Sequence, residues 1–131
     1  MNFLDNNMFD LSRKVLDFVW QKQTVTMDNI ANAETPGYKA KYVTFEDELK
    51  NKLDSQSGKT ASDIRSTINS VEAQVHESND ESTRADGNNV NVDVESMELA
   101  KAALQYEFLL KSYNDDLTRL RTVIKGWKEN F

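Results

Sequence analysis

A chain of 131 residues, 38% hydrophobic and 29% charged, holds the material of one soluble domain and excludes a large multidomain enzyme. It contains no cysteine, which excludes disulfides, thiolate metal sites, iron–sulfur clusters and thiol nucleophiles. The formal net charge of -6 belongs to the middle of the chain: residues 1–30 sum to -1, 31–53 to 0, 54–96 to -6 and 97–131 to +1. An acidic chain without a basic patch is a poor match for phosphate backbones, so no nucleic-acid partner is expected. No apolar run approaches the ~18 residues of a membrane span, and Met1-Asn2-Phe3-Leu4-Asp5 lacks the basic start of a cleaved leader.

The first element in chain order is an amphipathic helix. Leu4, Met8, Leu11, Val15, Phe18 and Val25 form one row, while Phe9, Leu16, Val19, Trp20, Met27 and Ile30 lie off it. The apolar surface is therefore wider than one partner helix covers. Asn29 to Tyr38 ends this helix: Pro36 drives Thr35 away from helical angles, and Pro36-Gly37 suits the two central positions of a type II turn, which asks Gly37 for a positive φ. Tyr42 to Phe45 reads as a short extended piece, and Phe45, Leu49 and Leu53 as one or two helical turns.

From Asp54 to Asn89 only seven of 36 residues are apolar, with no leucine and no aromatic. Such a stretch is unable to build a core of its own and reads as a polar, flexible linker adding little stability. Ile64, Ile68, Val71 and Val75 fall at helical spacing, while Val71, Ala73 and Val75 alternate as in a strand, so the local pattern is open. Asp86-Gly87-Asn88-Asn89 is a second turn signal, followed by Val90, Val92 and Val94 alternating as a short strand. The last third carries Leu99, Ala103, Tyr106, Leu110, Tyr113, Leu117, Leu120 and Ile124 in unbroken steps of three and four, a heptad seam. A helix from about Glu95 to Lys125, ~45 Å long, should end at Gly126. Leu104 and Phe108 lie four apart off its seam and need another cover.

Candidate chemistry is sparse. The one histidine, His76, lies in the least core-like segment and reads as a solvated surface residue. The Asp86 loop fails as a calcium site, because Asn91 and Met97 stand where glycine and glutamate are required. Glu46-Asp47-Glu48 and Asp115-Asp116 are adjacent carboxylates that diverge on a helix, and no phosphate cradle or serine elbow is present. The expectation is a non-enzyme with no catalytic, metal or cofactor residues.

The stretch Asn29-Ile30-Ala31-Asn32-Ala33-Glu34-Thr35-Pro36-Gly37-Tyr38-Lys39, following a first helix, closely resembles the signature of the bacterial flagellar axial proteins of the rod and hook. Asp86 to Glu95, leading into Ala100 to Tyr106, resembles the proximal-rod members in particular. The resemblance covers roughly residues 5–50 and 84–126. It makes Asn29, Asn32, Thr35, Pro36, Gly37 and Tyr38 a family turn motif. It implies a coiled coil of the two terminal helices packed in the inner tube of the rod, and unfolded export through the flagellar type III apparatus without a cleaved signal. It also implies self-association and, as partners, other rod proteins with the ring and export-gate proteins of the basal body.

The resulting expectation is a mainly α fold in which two long terminal helices form a coiled-coil hairpin. It divides into a helix over 1–33, a turn and short elements over 34–53, a linker over 54–89, and a short strand with the long helix over 90–131. The helices should pair antiparallel through Leu11, Val15, Phe18 and Val25 against Leu99, Ala103, Tyr106, Leu110, Tyr113, Leu117, Leu120 and Ile124. Phe9, Leu16, Trp20, Leu104 and Phe108 should be left for neighbouring subunits. The expected function is a structural subunit of the proximal rod, needed for flagellum assembly and motility. The alternative is an independent helical-hairpin adaptor or chaperone that binds a partner helix.

Overall fold

The computed structural model describes residues 6–55, 60–82 and 84–129. Leu4, with the rest of Met1-Asn2-Phe3-Leu4-Asp5, lies outside these residues. The fold is mainly helical. Helix α1 (Asn6–Ala31) is followed by strand β1 (Lys41–Thr44), helices α2 (Glu46–Asp54) and α3 (Ala61–Ser70), strand β2 (Gln74–Glu77) and helix α4 (Val92–Glu129).

The two long helices run antiparallel. Phe9 meets Tyr113 edge-on at 5.8 Å between ring centroids, Trp20 lies 6.1 Å from Tyr106, and Lys22 Nζ reaches Glu98 Oε2 at 3.1 Å. Farther along, the Asn29 amide donates to Glu95 Oε2 at 3.0 Å. Phe18, Val19 and Ala102 are buried in the core of this hairpin, with Val15, Tyr106 and Leu109 packed against it. Two members of the expected seam stand elsewhere: Leu110 is 39% and Ile124 50% exposed. Ala102 and Leu109 take the inward row instead. The pairs Ala102-Ala103 and Leu109-Leu110 are both apolar, so the periodicity alone left the row ambiguous. The fully buried Ala102 lets the helices approach closely, which decides it. Phe9, expected to be free for a neighbour, is partly occupied by Tyr113.

The N-terminal start of α4 corrects another expectation. No strand forms over Val90 to Val94, because the Asn91 side-chain oxygen accepts from the backbone N–H of Asp93 at 3.1 Å and of Val94 at 3.3 Å. That is an N-cap, which starts the helix at Val92 and outweighs three alternating valines. At the other end the helix does not stop at Gly126 but runs through it to Glu129, and reaches about 57 Å over its 38 residues.

The middle of the chain is more structured than its composition suggests. Thr60 and Asp63 form a capping box at the start of α3, with side-chain and backbone groups satisfied reciprocally. Helical spacing wins over Ile64 and Ile68, and the chain turns extended from Val71 into β2. Strand β2 pairs antiparallel with β1, Lys41 opposite Glu77 and Thr44 opposite Gln74. Ile68 and Val71 are fully buried, Val71 in one cluster with Phe18, Val19, Phe45 and Ala102. The segment builds no core of its own, yet it lends Val71 to the shared one and buries Ile68, so it contributes stability. Lys14 Nζ donates to the Val71 carbonyl at 3.0 Å, and Arg65 Nε lies 2.7 Å from Asp10 Oδ2, tying α3 to α1. Residues 56–59 and 83 of the expected linker lie outside the described residues.

Candidate functional site

Two features stand out: a polar clasp at one end of the hairpin and apolar surface along the other. The clasp joins the two segments that carry the family resemblance, although more than forty positions separate them in sequence. Asn29, on the last turns of α1, is completely buried. Its amide donates to the Lys41 carbonyl at 2.7 Å and to Glu95 at 3.0 Å, and its oxygen accepts from the Lys41 N–H at 2.9 Å and the Tyr38 hydroxyl at 3.3 Å. Both donors and both lone pairs are used, which is why a buried asparagine is tolerated here. One side chain thereby fixes the end of α1, the start of β1 and the first turn of α4.

Below it, Thr35-Pro36-Gly37-Tyr38 closes as a turn, the Tyr38 N–H donating to the Thr35 carbonyl at 3.2 Å, with Gly37 at φ 72°. Thr35 also donates to Asn32 Oδ1 at 3.1 Å. The second turn carries Gly87 at φ 78° and sits directly on the first: the Gly37 N–H donates to the Asp86 carbonyl at 2.8 Å. A Cβ on Gly87 would lie 3.8 Å from the Cα of Gly37. The buried Asn88 amide donates to the carbonyls of Asn32 and Thr35, both at 2.9 Å, and its oxygen accepts from the Val90 N–H at 2.8 Å. Arg84 donates to the Ala33 carbonyl at 2.6 Å. These bonds satisfy the carbonyls of Asn32, Ala33 and Thr35 in the turn that follows α1. Pro36 is exposed and shapes the turn through its backbone.

Two ionisable groups here are shifted. Burial, reinforced by the carboxylates of Asp28, Glu95 and Glu77, raises the Tyr38 hydroxyl above the ordinary phenol range, in keeping with its role as a donor. The hydrogen bond from Lys22 holds Glu98 below the usual carboxylate range. His76 is exposed on β2, stacked on Tyr42 at 5.3 Å with its Nε2 2.8 Å from Thr44 Oγ1. Among the described residues no cluster of metal-ligating side chains occurs. No described helix is long and apolar enough to cross a membrane.

The residues expected at subunit contacts divide. Leu104 and Phe108 are 68% and 73% exposed on α4, and Trp20 is exposed beyond its contact with Tyr106. Leu16 is half-buried. Sequence reasoning passed over Val123 and Trp127 and placed Ile124 in the intrachain seam, whereas all three are exposed beyond the last aromatic contact with α1. It also passed over the buried roles of Asn88 and Arg84, whose signal was the turn chemistry of Asp86-Gly87 beside them.

No family model matches the chain. It is 38% identical over 114 residues to the flagellar basal body rod protein FlgB of Bacillus subtilis, covering 82% of this chain and 84% of that protein. It is 31% identical over 121 residues to FlgB of Aquifex aeolicus, covering 92% and 94%. With FlgB of Escherichia coli it shares 29% identity over 126 residues, covering 87% and 90%. The paired asparagine turns and the antiparallel hairpin thus accompany a likeness that spans most of both chains, and the chain belongs to the family of flagellar basal body rod proteins FlgB.

Proposed function

We propose that this chain is a structural subunit of the proximal rod, linking the membrane ring to the rest of the rod and needed for flagellum assembly and motility. In this reading it is exported unfolded through the flagellar type III apparatus, associates with copies of itself, and meets other rod proteins, the ring and the export gate. The observation that carries it is the pair of exposed side chains Leu104 and Phe108 on a long helix whose inward row is already packed on α1. A lone subunit gains nothing from two large apolar groups in water, whereas a wall of parallel hairpins buries them. The Asn29 and Asn88 clasp supports the same reading, since it fixes the two helices rigidly enough to act as one building block.

The test replaces Leu104 and Phe108 together by glutamate. Circular dichroism of the isolated chain should change little, because neither side chain is in the core, while incorporation into purified basal bodies and swimming should be lost. Normal motility of the double variant would overturn the reading.

A further inference from the structure

One surface remains that the hairpin does not fill, and it shares Phe108 with the Leu104 and Phe108 face. Residues of α1, α2 and α4 line an open groove of about 510 Å³, with Phe18 and Val19 from α1, Leu49 and Leu53 from α2 and Phe108 and Leu109 from α4. Its α2 rim is acidic on balance, with Glu46 and Asp54 against Lys50, on a helix that carries Glu46, Asp47, Glu48 and Asp54 against Lys50 and Lys52. The terminal turns of α4 have the opposite character. From Leu117 onward they hold Arg119, Arg121, Lys125 and Lys128 against one glutamate. They also present Ile124 and Trp127, three residues apart and so on one helix face, at 50% and 66% exposure.

The geometry points to a second copy of this chain as the occupant of the groove, which takes the terminal turns of that copy's α4, with Ile124 and Trp127 against Leu49, Leu53 and Phe108. Charge complementarity aligns the two, Lys125 and Lys128 facing Glu46 and Asp54. The chain is unable to satisfy the contact by itself, because Phe108 and Trp127 stand about 28 Å apart along one continuous helix. The contact is therefore between subunits and joins unlike surfaces, which leaves each subunit a groove and a tail to offer its neighbours. The inference rests on the rod reading, to which it adds the pair of surfaces that self-association would use.

The native chain has no cysteine, so single cysteines report cleanly. Leu53→Cys and Trp127→Cys are expressed together in one strain, basal bodies are purified, and a short bismaleimide is added. A control strain pairs Trp127→Cys with Asn79→Cys, on the exposed loop after β2. The expected result is a two-chain product from the first pair at least fivefold above the control. Lys125→Glu with Lys128→Glu should reduce it several-fold, and Glu46→Lys with Asp54→Lys on the groove partner should restore it. If both cysteine variants are present in basal bodies and the product does not exceed the control, the inference is overturned while the rod reading stands. If the unmodified chain is absent from basal bodies, the rod reading falls, and cross-linking of the purified variants decides the inference: a product that grows with concentration supports it, and none overturns it. Circular dichroism of each variant separates lost folding from lost contact.

Discussion

The two ends of the hairpin solve opposite problems. At the clasp end, Asn29 and Asn88 are buried polar groups whose amide N–H groups and side-chain oxygens are all hydrogen-bonded, tying the turn after α1 to the start of β1 and to the approach to α4. At the far end, α4 continues sixteen residues past Tyr113, its last ring contact with α1, with Trp127 largely in water. Buried, fully satisfied polar networks specify one geometry, and exposed apolar helix turns await a partner. The contrast teaches that buried polar order and exposed apolar surface are assigned to different ends of the molecule.

The sharpest way to break this contrast is Asn29→Asp. The new carboxylate loses both amide donors and faces Glu95, leaving a buried charge without a cation, so unfolding should become easier by roughly 3–5 kcal/mol. The buried carboxylate is held above its unfolded pKa, so the deficit should shrink as pH falls through the carboxylate range; denaturant unfolding at pH 7 and pH 4 checks both parts. Next is Ile68→Ala, which hollows the core where α3 meets it and should cost about 2–4 kcal/mol in the same measurement. A neutral outcome would return residues 60–82 to the status of a mere linker.

Gly37→Val should cost about 1–2 kcal/mol, from backbone strain alone, since nothing lies within 4 Å of the added Cβ. Calorimetry of this variant separates φ from packing. A smaller effect belongs to Glu98, whose pair with Lys22 is partly open to solvent and so contributes at most ~1 kcal/mol. Its folded pKa is depressed, hence this contribution is present above the unfolded carboxylate pKa and fades as pH falls through the folded one; Glu98→Gln should flatten that part of the stability profile. Smallest of all, Trp127→Ala should alter the stability of the isolated chain by no more than ~0.5 kcal/mol. A tail variant that costs as much as Asn29→Asp would erase the distinction between the two ends.

What was legible in the sequence was what local physics dictates. Helical periodicity announced both long helices, Pro36-Gly37 announced a turn with positive φ, and the segment 46–54 showed its two leucines four apart. The capping box at Thr60 and Asp63 and the cap at Asn91 were also written locally, but alternating valines and a polar composition drew the reading away from them. Other features had no local signal. Whether Leu109 or Leu110 turns inward depends on how closely Ala102 lets α1 approach, which is a property of two helices and not of either. That the Asn29 and Asn88 segments lock together follows from the hairpin bringing distant turns into register, because a side-chain amide specifies only that it needs partners, and the tertiary fold alone supplies them. The sequence by itself determined the elements and their apolar faces; the tertiary structure decided which faces are spent within the chain and which remain exposed, since burial is a property of the assembled surface.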